Sequence, residues 1–125
     1  MAKAQAPLSP HLQIYRWQLT MVTSITHRAT GVFLAAGALV LCYWALSVAA
    51  GPEQYRQLME CLSGVPGRVF LALVTLSFYY HLCNGIRHLL WDAVIGLDLR
   101  TSYLSGWAVI IAALVLTAIT WVAAS

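Results

Sequence analysis

The chain has 125 residues; 61% are hydrophobic, only 9% are charged, and the formal net charge is +3. A water-soluble domain carries roughly 25% charged residues, so this composition excludes a solvated surface and makes lipid the fitting solvent. The basic residues stand singly along the chain, which argues against a nucleic-acid partner.

Residues 1–28 read as a cytoplasmic or interfacial segment. Met1 to Tyr15 is polar or mixed and carries Pro7 and Pro10, with neither a short apolar core before a cleavage site nor an Arg-rich transit pattern. The stretch from His11 to Val22 is semi-apolar, with Leu12, Ile14, Trp17 and Leu19. It is too short and too polar to span, and is predicted to lie at the interface or against a partner. Residues 29–125 are predicted to form one transmembrane three-helix domain. Three runs lack charged residues: Ala29 to Pro52, Val69 to Ile86 and Thr101 to Ser125. Each is near the ~20 residues that cross the hydrocarbon core, and the spans are predicted at about residues 29–51, 67–90 and 103–124. The stretch between the first two holds Gly51-Pro52, Glu53, Arg56, Glu60 and Gly64 to Gly67, and its Gly and Pro punctuation reads as a polar loop. The predicted fold class is therefore all-α, an integral membrane protein with three transmembrane helices.

Lys3, Arg16 and Arg28 precede the first span, and Arg87 and Arg100 flank the second connection on the same side. Arg56 and Arg68 lie on the other side, and the C-terminal tail has no basic residue. The positive-inside rule then places the N-terminus in the cytoplasm and the C-terminus across the membrane. Trp107 and Trp121 stand near opposite ends of the third run, as interfacial anchors do. Cys42, Cys61 and Cys83 form neither CxxC nor CxxCH, which argues against a zinc knuckle or covalent c-type haem attachment.

Polar residues inside a span are expensive and so mark candidate sites. His81, Gly85, His88 and Asp92 are spaced 4, 3 and 4 apart, one stripe of a helix. His81 lies about 9 Å deeper than Arg87 along such a helix. Its spacing leaves three readings open: a haem ligand, a structural histidine bonded to a neighbouring helix, or a proton relay. His81 and His88 share a face, about 10 Å apart, so they cannot both ligate one iron from opposite sides. A second ligand would then come from another helix, most readily in another chain. Ser24, His27, Arg28 and Gly31 make the other constellation. A hydroxyl, an imidazole and a guanidinium at the mouth of a span suit a quinone carbonyl or a haem propionate; a capping serine with a snorkelling arginine is the plainer alternative.

At these residues the chain resembles the cytochrome b subunit of succinate dehydrogenase, the larger membrane anchor of respiratory complex II. Pro7-Leu8-Ser9-Pro10-His11-Leu12 through Ile14-Tyr15 is similar to SPHLxIY. Ser24-Ile25-Thr26-His27-Arg28 with Thr30-Gly31 is similar to S-I-x-H-R-x-[ST]-G. His81 through Gly85-Ile86-Arg87-His88 to Trp91-Asp92 is similar to H-x-x-x-G-x-R-H-[LM]-x-W-D. Order and spacing agree over nearly the whole chain; the departures are Ala6, where the family often has Arg, and Thr20, where it often has Pro. The resemblance implies half of a haem-binding helical bundle, completed by a second small membrane anchor. One haem b would be shared between the two anchors, with His81 as this chain's axial ligand. Ubiquinone would be the substrate, met by Ser24 and Arg28 with Ile25 and Trp17 near its ring. His27, Arg28, Arg87 and His88 would be propionate or second-sphere residues. The implied partners are a flavoprotein, an iron–sulfur protein and the second anchor; FAD and the iron–sulfur clusters would sit only in partner chains. The expected setting is the bacterial inner membrane rather than the mitochondrial one. A cofactor-free structural or assembly subunit, and a small proton channel or transporter built on His81 and Asp92, are the competing functions.

Overall fold

The computed structural model describes residues 15–124, so the motif from Pro7 to Ile14 lies outside the described residues. Four helices follow in order: α1 (Leu19–Ala50), α2 (Pro52–Ser63), α3 (Val65–Asp92) and α4 (Leu99–Ala124). Three of them, α1, α3 and α4, are long and apolar enough to cross a membrane. The all-α, three-span architecture expected from the charge-free runs is present.

Two features depart from the sequence reading. Helix α1 starts at Leu19, ten residues before the charge-free run, so Ser24, His27 and Arg28 stand on its first turns. At 32 residues it is about 48 Å long against ~30 Å of hydrocarbon, enough for those turns to stand outside the apolar layer. The polar stretch read as a loop is helix α2. Gly51, at φ 118°, turns the chain; Pro52 opens the helix at a position that needs no N–H. Arg56 then bridges Glu53 at 2.8 Å and Glu60 at 2.5 Å along one exposed face, while Leu58 buries the other. The Arg56 guanidinium, and Gln57 after it, hold the Glu53 carboxyl below the usual carboxylate range. Gly67 makes the tight elbow into α3. A Cβ there would lie 2.5 Å from backbone atoms of Cys61 and Leu62.

Helix α3 is central and packs on both α1 and α4. Small residues let the helices approach, as they do where lipid gives no hydrophobic drive: Gly37 of α1 meets Val74, and Gly106 of α4 meets Leu19. The burial pattern is inside-out. Thr23, Ser47, Ser77, Asn84, Arg87 and Ser102 are buried, whereas Val32, Leu39 and Val122 are about three-quarters exposed, at 75%, 73% and 77%. Polar groups face the bundle and apolar groups face outward, as a bilayer requires. The turn from α3 to α4 uses Val94 and Gly96 at positive φ. Asp98 caps α4, accepting the Thr101 N–H at 2.9 Å, and that bond holds its carboxyl below the usual range.

Candidate functional site

The inner face of α1 between Thr23 and Gly31 meets α3 between Tyr80 and Arg87, and the two polar constellations of the sequence come together there. Gly31 leaves room for the His81 ring: a Cβ on it would sit 3.1 Å from His81 Cε1. The ring's Nδ1 lies 3.0 Å from the His27 carbonyl oxygen. A carbonyl only accepts, so Nδ1 carries the proton and donates. Thr30 Oγ1 donates to the same carbonyl at 2.9 Å and stands 3.2 Å from Nδ1. A neutral imidazole with its proton on Nδ1 has its lone pair on Nε2.

His27 lies flat against His81, with ring centroids 3.8 Å apart and planes within 13°. Its ring also lies 5.1 Å from that of His88. A Cβ on Gly85 would make an ordinary contact with His27 Cε1, at 3.9 Å. His27 Nδ1 is buried and has no hydrogen-bond partner among the described residues. His88 is differently placed. Its Nε2 lies 3.2 Å from Asn84 Nδ2, which donates to it, and its ring meets Trp91 edge-on.

Ser24 and Arg28 do share a face, joined by a 3.4 Å bond from Arg28 Nη2 to Ser24 Oγ. Arg28 is exposed, Ile25 is 48% exposed and Trp17 is 67% exposed, so this part of the site opens outward. Within the four-residue constellation, Ser24, His27 and Gly31 are half-buried and Arg28 is exposed.

Arg87, read from sequence as an anchor or a propionate partner, points into the bundle and is only 4% exposed. Its Nε donates to Ser105 Oγ at 2.9 Å, Nη1 to Thr23 Oγ1 at 3.1 Å and Asn84 Oδ1 at 3.4 Å, and Nη2 to the Ser102 carbonyl at 2.8 Å. Its guanidinium carbon lies 4.0 Å from the centre of the Trp91 ring, a cation–π contact. Asp92, the last residue of the α3 stripe, is exposed and makes no ion pair among the described residues. The sequence reading also passed over Thr23, Tyr80 and Asn84. Tyr80 Oη and Asn84 Nδ2 both donate to the Thr23 carbonyl, at 3.1 and 3.4 Å, and Tyr80 also hydrogen-bonds Thr26. Asn84, an amide one turn from both His81 and His88, was the available signal.

The arrangement offers one imidazole with Nδ1 tied to a carbonyl, a half-buried second imidazole with a buried unpartnered nitrogen, and a hydroxyl–guanidinium pair within about two turns of both. The family model for the succinate dehydrogenase/fumarate reductase transmembrane subunit matches residues 2–120. The succinate dehydrogenase cytochrome b556 subunit of Rickettsia bellii is 38% identical over 116 residues, covering 93% of this chain and 90% of that protein. The Rickettsia prowazekii subunit of the same name is 39% identical with the same coverage. The human mitochondrial succinate dehydrogenase cytochrome b560 subunit is 42% identical over 107 residues, covering 84% of this chain and 63% of that protein. With its polar inner face and three spans so matched from end to end, the chain belongs to the succinate dehydrogenase/fumarate reductase transmembrane subunit family.

Proposed function

We propose that this chain is the membrane-anchor cytochrome b subunit of a succinate:ubiquinone oxidoreductase. It binds one haem b jointly with a second small anchor and supplies part of the ubiquinone reduction site. It thereby couples succinate oxidation in the tricarboxylic acid cycle to the respiratory chain. The observation that carries the reading is the bond from His81 Nδ1 to the His27 carbonyl. A ligating histidine is held in this way, with one nitrogen tied to a fixed acceptor and the other presented to the metal. The haem, when bound, supplies a one-electron redox centre.

His81 would hold the haem iron from this chain. His27 and His88 crowd the same side of α3 as His81, so the second axial ligand is assigned to the partner anchor. Among the second-sphere residues, His27 has an unpartnered buried nitrogen and Arg28 an exposed guanidinium; these two are the propionate candidates. Arg87 and His88 are engaged inside the chain and act through it. Ser24 and Arg28 donate to a quinone carbonyl oxygen and stabilise the negative charge that grows there on reduction. Ile25 and Trp17 flank the ring. The flavoprotein oxidises succinate and the iron–sulfur protein delivers the two electrons, while the exposed position of Arg28 lets two protons come from water.

Lys3, Arg16, Arg28 and Arg100 on one side, against Arg56 and Arg68 on the other, support a cytoplasmic N-terminus in a bacterial inner membrane. Arg87 drops out of that comparison because it is buried. The function is tested by the visible spectrum of the purified four-chain complex. A reducible b-type signal is expected, lost or shifted from low-spin in His81→Ala and retained in His88→Ala. An unchanged low-spin spectrum in His81→Ala removes the ligand assignment. Absence of haem from the wild-type complex leaves the cofactor-free anchor.

A further inference from the structure

The first turns of α1 carry Ser24 and Arg28, yet the helix start has no side-chain cap to hold it. Gln18 precedes the helix without a side-chain cap bond, and the first turn has no acidic residue to favour the helix dipole. The anchorage is tertiary, and it converges on Thr23, the residue beside Ser24. Thr23 is 1% exposed. Its hydroxyl accepts from Arg87 Nη1 at 3.1 Å, and its carbonyl accepts from Tyr80 and Asn84 of α3. Arg87 in turn holds α4 through Ser105 Oγ and the Ser102 carbonyl. Gly106 closes the junction: a Cβ there would meet Leu19 at 3.0 Å and Arg87 Nη2 at 3.6 Å. One guanidinium, with no carboxylate in ion-pair range among the described residues, thus ties the start of α1 to both other spans.

A buried charge without a counter-ion is a costly way to hold helices together. What it offers is direction. The planar guanidinium presents donors in a fixed fork, here to acceptors on three helices at once.

We propose that Arg87 is a positioning residue for quinone reduction, acting through Thr23 to set the height and rotation of the Ser24–Arg28 pair on α1. This rests on the assignment of that pair to the quinone. Misplacement of a donor by about 1 Å can cost up to ~10²-fold in rate. Releasing Thr23 therefore acts on quinone kinetics without touching a group that meets the quinone.

The experiment uses the assembled four-chain complex, with activities expressed per haem-containing complex. Thr23→Val removes the hydroxyl that Arg87 binds while keeping the side chain's shape; Thr23→Ser keeps the hydroxyl. Thr23→Val is expected to lower kcat/KM for a short-chain ubiquinone roughly tenfold or more, with succinate oxidation by an artificial acceptor and the low-spin haem spectrum unchanged. Thr23→Ser should restore most of the loss. Arg87→Gln should match Thr23→Val, and the double variant should be no worse than Arg87→Gln alone, because both break one connection. If Arg87→Gln does not assemble, the Thr23 pair decides the matter. Wild-type quinone kinetics in Thr23→Val, or strictly additive losses in the double variant, overturn the proposal. Ser24→Ala run in parallel separates the two levels. Loss there with none in Thr23→Val rejects the role of Arg87 and leaves the quinone site standing. No loss in either variant rejects the quinone assignment itself.

Discussion

Ser24, half-buried, and Arg28, exposed, are joined on α1 by a 3.4 Å bond, and the two readings of Arg28 make different demands on its chemistry. An arginine that only snorkels needs a positive charge on a flexible stem, which lysine also has. A guanidinium aimed at a carbonyl beside a serine hydroxyl needs its planar fork, which lysine lacks. Ser24→Ala and Arg28→Lys are each expected to lower succinate–ubiquinone reductase activity on the order of 10- to 100-fold, the weight of one charge-assisted hydrogen bond. Succinate oxidation by an acceptor that draws electrons upstream should be spared. Full quinone activity in assembled Arg28→Lys would mean that charge alone suffices at this position.

At the scale of elements, the junctions around α2 and before α4 decide how the spans are registered. Gly67→Ala forces a Cβ into backbone of Cys61 and Leu62, and backbone cannot swing aside as a flexible side chain can. A loss of about 1–3 kcal/mol is expected, read as a lowered thermal-inactivation midpoint of the complex. Gly64→Ala is the control. Gly64 has φ −65° and its nearest neighbours would be 3.5 Å or more from a new Cβ, so it should be close to neutral; equal losses in both would refute the elbow argument. The cap of α4 carries a pH dependence. The folded-state pKa of Asp98 is lowered by the Thr101 N–H, so its contribution is present above the ordinary carboxylate range and is lost as pH falls through the depressed value. Protection of the α4 amide hydrogens near Thr101 should fall in acid in the wild type. Asp98→Asn should make it independent of pH there, and a surviving acid-dependent loss in that variant would assign the effect to another group.

At the scale of the molecule, the apolar exterior and the polar junction of α1, α3 and α4 describe three spans suited to lipid. Three spans put its ends on opposite faces, and the proposed cytoplasmic N-terminus rests on the distribution of basic residues. Reporter fusions at the two termini should therefore report opposite sides, with the cytoplasmic reporter active at the N-terminus. The same side for both would remove the three-span reading, and opposite sides with the reverse sense would remove only the orientation.

Composition and charge-free runs determined the solvent, the number of spans and the helical class, because these follow from transfer energies that depend on which residues stand together in sequence. Motif spacing was enough to single out His81, His27, Ser24 and Arg28. Helix α2 was hidden by its Gly and Pro, although Glu53, Arg56, Gln57 and Glu60 already stood at helical intervals. The extension of α1 back to Leu19 was hidden because polar turns outside the hydrocarbon carry no span signal. Only the tertiary structure decided which way each polar side chain faces. A helix period places Ser24, His27, Arg28 and Gly31 on one broad face; the neighbouring helix leaves Arg28 exposed and the other three half-buried. Arg87 is the sharpest case. Lysines and arginines near the end of a span ordinarily reach for water, so the positive-inside count took it for an anchor. Acceptors from Thr23, Ser102 and Ser105, on two other helices, hold it inside, and residues 15 to 64 positions away in sequence cannot announce that they will meet.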